Sequence, residues 1–214
     1  MDKEKDIQNW YEACTKSSGF TDWTQQIDPK LLEAVRTLTI NDAYDLLERH
    51  ITDLYRIRKD EIDLYIDIIN KEYSSKFQFA CDTLVQITGK PLYRKMFTIY
   101  LTTFPRGPYD VENAALWIAI GWFDPIANFM HEALHFQFIF YWRDSDTAVS
   151  KLSVEQFEKL KESLTVVLDE SLRPLMKAPD KGYIVHSQIR QKLHEKWIKG
   201  ANFTELIDYG IELM

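Results

Sequence analysis

His131-Glu132-Ala133-Leu134-His135 places two imidazoles four residues apart, with a carboxylate directly after the first. On an α-helix, residues i and i+4 lie one above the other on the same face. His131 and His135 can therefore both present a ring nitrogen to one metal ion. Zinc accepts nitrogen donors in a tetrahedral array, and a catalytic site keeps one position open for water. Glu132, one residue along, is turned so that its carboxylate reaches a water on the metal rather than the metal. The chemistry this pattern predicts is water attack on a carbonyl, with the metal lowering the water's pKa and the carboxylate accepting its proton.

The chain holds five histidines in 214 residues, so an accidental HExxH match has odds on the order of one in a hundred. The flanks Phe129, Met130, Leu134, Phe136, Phe138, Ile139 and Phe140 are apolar. Polar side chains in such a helix are costly to bury without partners, and a metal supplies them. The bland alternative is a pair of ordinary histidines on a half-buried helix of a metal-free scaffold.

A zinc site needs a third protein ligand, and the helix expected downstream offers Glu155, Glu158, Glu162, Asp169 and Glu170. With Phe157 as the centre of its apolar face, Glu162 and Asp169 fall about 120–140° round and Glu170 about 220° round, towards solvent. Glu162 is the expected ligand, Glu170 the runner-up and His186 the outsider. Asp169 is a candidate to orient one histidine through its other ring nitrogen. A second cluster, Asp180, Gly182, Tyr183, His186 and Arg190, follows in the tail. His50 and His194 sit in charged helical contexts and read as surface residues.

HEALH followed 27 residues later by Glu162 resembles the gluzincin family of zinc metallopeptidases, of which thermolysin is the familiar member. The resemblance implies His131, His135 and Glu162 as zinc ligands, Glu132 as general base, and a tyrosine or histidine beyond the third ligand as oxyanion donor, a role Tyr183 or His186 could take. It spans about residues 95–200 in element order, and only the short motif matches closely. KESLTVVLD around Glu162 departs from the Asn-Glu-x-x-Ser-Asp pattern of thermolysin relatives, and Tyr141 stands where a metzincin carries its third histidine. The chain also looks like small single-domain metallopeptidase-like proteins.

The elements that must position these residues can be read in order. Trp10, Tyr11, Phe20 and Trp23 suggest a short helix and a loop. Asp28-Pro29 reads as an N-cap with proline at the first helical position. Asn41-Asp42 opens a helical pattern through Tyr44, Leu47, Ile51 and Leu54, continued by Ile62, Tyr65, Ile69 and Tyr73 as far as the stop at Gly89 and Pro91. The charge run RIRKDEID is expected to be a solvated helix face. Residues 96–104 are mostly β-branched or aromatic and read as a strand, Pro105-Arg106-Gly107-Pro108 as a turn, and residues 114–121 as a buried strand. Either strand could offer an edge to an extended peptide. The active helix is expected to begin near Asp124. Ser153 to Gln156 is a capping box opening a helix with Phe157, Leu160, Leu164, Val167, Leu168 and Leu172 on one face. Two further helices are expected over 186–199 and 202–214.

The predicted fold is α+β and predominantly helical: a zincin-like core with a small antiparallel sheet beside the HExxH helix, plus an N-terminal helical region. The expected division is residues 1–94 as that region and 95–214 as the metallopeptidase core, packed as one compact domain. A net charge of −7 disfavours nucleic acid as a partner. Two cysteines, Cys14 and Cys81, are too few for a disulfide framework. The first 16 residues lack an apolar run, so a secretory signal is not expected, nor is a membrane span in 114–142, which Asp124, Pro125, His131, Glu132 and His135 break. The function expected is that of a cytoplasmic, zinc-dependent metallopeptidase acting on a peptide or protein substrate. The alternative is a non-catalytic, zinc-stabilised helical interaction protein.

Overall fold

Local capping chemistry sets most helix starts. A computed structural model describes residues 1–16, 21–145, 148–180 and 182–214; Phe20 lies outside the described residues. Helix α1 (Lys3–Thr15) starts at Asp2, whose side chain accepts from the Lys5 N–H. Helix α2 (Pro29–Thr37) starts at Asp28 with proline in its first turn. Helix α3 (Ile40–Ile57) is capped by Thr39, ahead of the Asn41-Asp42 start that the sequence suggested. Helix α4 (Lys59–Thr88) runs 30 residues, as far as Gly89, which takes a positive φ of 63°.

The chain divides into two compact units, Met1–Asn70 with Phe97–Trp122, and Lys71–Met96 with Phe123–Met214. This grouping differs from the expected division at 94/95: the strands group with the N-terminal helices, and the second half of α4 groups with the HExxH helix.

In the first unit, β1 (Thr98–Thr102), β2 (Tyr109–Asp110) and β3 (Ala115–Ala119) form one sheet in the order β1-β3-β2. It is mixed, not antiparallel. β1 pairs parallel to β3, Thr98 opposite Ala115, and only β2 is antiparallel to β3, Tyr109 opposite Leu116. The expected turn at 105–108 does not fold β3 back onto β1. It leads into β2, and β2 makes the hairpin. Gly107 fits there because a Cβ would lie 2.9 Å from the Trp117 carbonyl oxygen and from the Trp122 ring. β3 is buried along its whole length, paired with β1 throughout and with β2 at Ala115 and Leu116, so it is not the exposed edge that β-augmentation requires.

Asp6 of α1 is fully buried and accepts from Thr102 Oγ1 (2.6 Å), Thr103 N–H (3.0 Å), Thr103 Oγ1 (2.9 Å) and Tyr55 Oη (3.1 Å). Ile7, Trp10, Cys14, Leu47, Ile51 and Phe104 form the core beneath it. His50 is not a plain surface residue: its ring meets the Trp10 edge at 4.9 Å. Cys14 and Cys81 are unbridged, and burial pushes both thiols up to about 11.

In the second unit, helix α5 (Pro125–Phe138) carries HExxH and continues into a π-helical turn, Ile139–Arg143. Phe129 packs against Tyr73 and Phe77 of α4 at 6.0 and 5.0 Å between ring centroids. Gln137, fully buried, accepts from the Tyr93 N–H (2.8 Å) and donates to the Pro91 carbonyl (3.0 Å). Helix α6 (Val154–Leu164) has the expected capping box of Ser153 and Gln156. The helix expected to reach Leu172 breaks after Leu164 into a 3-10 turn and the short α7 (Leu168–Ser171). Helices α8 (Ser187–Trp197) and α9 (Phe203–Glu212) complete the unit, with Leu160 so close over Gly210 that a Cβ there would collide with Leu160 Cδ1. Among the described residues no helix is long and apolar enough to cross a membrane.

Candidate metal centre

Asp124 fixes the start of α5. Its Oδ1 accepts from the Ala127 N–H (3.1 Å) and its Oδ2 from the Lys177 N–H (2.6 Å). One carboxylate thus caps the HExxH helix and holds the segment after α7 against it. From that cap the helical repeat carries His131 and His135 to the same face, and their rings meet edge-on at 4.5 Å.

Glu162, in the last turn of α6, comes to these two rings. The Nε2 atoms of His131 and His135 are 3.0 Å apart. Glu162 Oε1 is 3.3 Å from His135 Nε2, and Oε2 is 3.5 Å from His131 Nε2. Ligands about 2.1 Å from a tetrahedral zinc stand about 3.4 Å from one another. The three candidate ligand atoms lie within 4.8 Å of one another, and two nitrogens with one carboxylate oxygen are a donor set suited to zinc.

The surroundings fix the rings. His131 Nδ1 donates to Asp180 Oδ2 at 2.9 Å. Asp180 is held ionised, because His131 and Arg190 outweigh the burial that opposes its charge, so it can only accept and the proton belongs to Nδ1. His131 Nε2 is thereby the atom turned to Glu162. Burial opposes protonation of His131, but Asp180 and Glu162 outweigh it and raise its pKa well above the usual range. Burial, reinforced by His131, pushes His135 down to about 4. Burial works against the Glu162 anion too, yet the two histidines hold its carboxyl well below the usual range. Burial pushes Glu132 up to about 7, partly offset by His131. Glu132 Oε2 is buried and, among the described residues, has no hydrogen-bond partner.

The expected third ligand Glu162 is at the centre. Glu170, the runner-up, pairs with Arg173 (2.9 Å) and His194 (3.4 Å) at the half-exposed end of α7. Asp169 does not orient a histidine. Its Oδ1 accepts from the Asp180 N–H (2.7 Å), so it supports the residue that does. Tyr183 meets the His186 ring edge-on at 5.8 Å, and buried His186 is near enough to Glu162 to feel its charge.

Two participants were not legible from residue type. Lys161 is 3% exposed, with its ammonium 3.3 Å from Glu162 Oε1 and 2.6 Å from Glu158. In sequence it was one lysine among several in a charged helix. Thr165 donates to the Glu162 carbonyl at 2.9 Å, where α6 breaks into its 3-10 turn. The break itself was the only available signal, and nothing in the periodicity announced it. Comparison with protein-family models, curated proteins and solved structures gave no match.

Proposed function

We propose that this chain is a zinc-dependent metallopeptidase of gluzincin type, with a zincin-like core and a cytoplasmic site of action. The observation that carries the proposal is the convergence of His131 Nε2, His135 Nε2 and the Glu162 carboxylate at spacings of 3.0–3.5 Å. These three residues would hold the ion. Bound there, zinc supplies the Lewis acidity that polarises a carbonyl and makes a water acidic.

The protein's own groups do the rest. Asp180 occupies His131 Nδ1, so the ring offers its Nε2 lone pair. Glu132 is the proton carrier. It accepts a proton from water as a carbonyl carbon is attacked and returns it to the departing amine. Its Oε2 is buried and, among the described residues, has no hydrogen-bond partner, which leaves it open to a water. Tyr183 and His186 are the candidate donors to the oxyanion. An extended peptide or protein segment is the substrate class, and the net charge of −7 argues against a nucleic acid.

The test is zinc content and peptide hydrolysis, compared between the wild type and Glu132→Gln. The proposal expects about one zinc per chain in both and loss of hydrolysis in the variant. Zinc in both, with no hydrolysis in either against a broad peptide mixture, would favour the zinc-stabilised interaction protein instead. Full hydrolysis by Glu132→Gln would falsify the assignment of Glu132.

A further inference from the structure

Arg190 is a cation that the proposed chemistry does not use, and it is 5% exposed. Burying a guanidinium is unfavourable unless its donors are matched. Arg190 Nη1 donates to the Glu162 carbonyl (3.0 Å) and to Thr165 Oγ1 (2.6 Å), and Nη2 donates to the Asp180 carbonyl (2.5 Å). Glu162 carries the third candidate ligand, and Asp180 holds His131. One planar group therefore spans the backbone of the ligand helix and the backbone of the segment that orients the first histidine.

The chain around it is shaped to the guanidinium. Gly182 has a φ of 57°, and a Cβ there would lie 2.7 Å from Arg190 Cζ and 2.8 Å from Nη1. The Gly182 N–H in turn donates to Asp180 Oδ1 (3.0 Å), leaving Oδ2 for His131. A lysine is a single point donor and cannot reproduce a fork that grips two carbonyls.

We infer that Arg190 is a positioning residue that clamps the Glu162 backbone to the Asp180 backbone and so keeps His131 Nδ1 on Asp180 with Nε2 facing Glu162. The metal readout of this inference rests on the proposed zinc site, and the proton readout does not.

The test uses the full chain with Arg190→Met, Arg190→Lys and, as a charge control, Lys192→Met. In the metal-free protein, nitrogen-edited NMR should show a downfield, slowly exchanging His131 Nδ1 proton. Arg190→Met and Arg190→Lys should lose it, added methylguanidinium should restore it in Arg190→Met, and Lys192→Met should keep it. With zinc, chelator competition should show affinity lower by about tenfold or more in Arg190→Met, and the cobalt-substituted protein should change its visible spectrum. Arg190→Met with wild-type proton exchange, or a wild type without that proton, overturns the inference. If Arg190→Met does not fold, Gly182→Ala replaces it: crowding the guanidinium should also abolish the proton signal, and its retention overturns the inference. A wild type that binds no zinc ends the metallopeptidase proposal, while the proton exchange still decides the role of Arg190.

Discussion

His131 Nδ1 and Asp180 Oδ2 meet at 2.9 Å across 49 residues of chain. The contact selects which nitrogen of His131 is left for a metal. Removing it in Asp180→Ala frees the ring to rotate and to change tautomer. Zinc affinity is expected to drop by about 10- to 100-fold, with Asp180→Asn intermediate. Chelator competition measures it, and equal affinity in all three proteins would show that Asp180 has no orienting role.

Glu162 and Glu170 are eight residues apart, yet only Glu162 reaches the two histidines. Glu162→Ala is expected to lose bound zinc. Glu170→Ala is expected to keep it, because its partners are Arg173 and His194. Metal analysis after dialysis distinguishes the two, and the reverse pattern would remove Glu162 from the ligand set.

Gln137 tests packing near the site without touching the ligands. Gln137→Leu leaves the buried Tyr93 N–H and the Pro91 carbonyl without this partner. The Tyr93 N–H loses this acceptor at a cost of about 1–3 kcal/mol, while the Pro91 carbonyl keeps Tyr141 Oη at 2.9 Å, so chemical denaturation should show a loss of about 1–3 kcal/mol while zinc content stays at the wild-type level. Unchanged stability would contradict the hydrogen-bond assignment.

Asp6, in the first unit, gives a pH dependence of its own. Burial raises its pKa above 3.8, and hydrogen bonds from Thr102, Thr103 and Tyr55 offset this only in part. Between the unfolded value and the raised folded value the native state binds more protons, so stability falls as pH rises through that window. The stabilisation from protonating Asp6 is complete below the unfolded value and lost above the folded one. Asp6→Asn cannot titrate. The stability of the wild type relative to Asp6→Asn should therefore increase on acidification from neutral pH towards 4. A difference that stays flat, or moves the other way, would show that Asp6 is not raised.

The local parts of this protein were readable from residue order. Four-residue spacing places His131 and His135 on one helical face whatever surrounds them, because the helical repeat is a backbone property. Asp124-Pro125, Asp28-Pro29 and Ser153 with Gln156 start helices through bonds within one turn. The apolar face of the downstream helix singled out Glu162 over Glu170, and Glu162 is the one that lies 3.3–3.5 Å from the two imidazoles.

Tertiary structure decided the rest. The strands at 98–102 and 115–119 look alike in sequence for parallel or antiparallel pairing; the insertion of β2 as the hairpin partner made β1 and β3 parallel. Asp169 and Asp180 are equivalent as residue types. Asp180 reaches His131 because Asp124 holds Lys177, Asp169 holds the Asp180 N–H, and Arg190 holds its carbonyl. Each of those bonds joins residues 10 to 53 positions apart. Helical spacing carries information over a few residues, since each turn repeats the last. Which carboxylate meets which imidazole depends on how whole segments pack, and only the folded chain determines that.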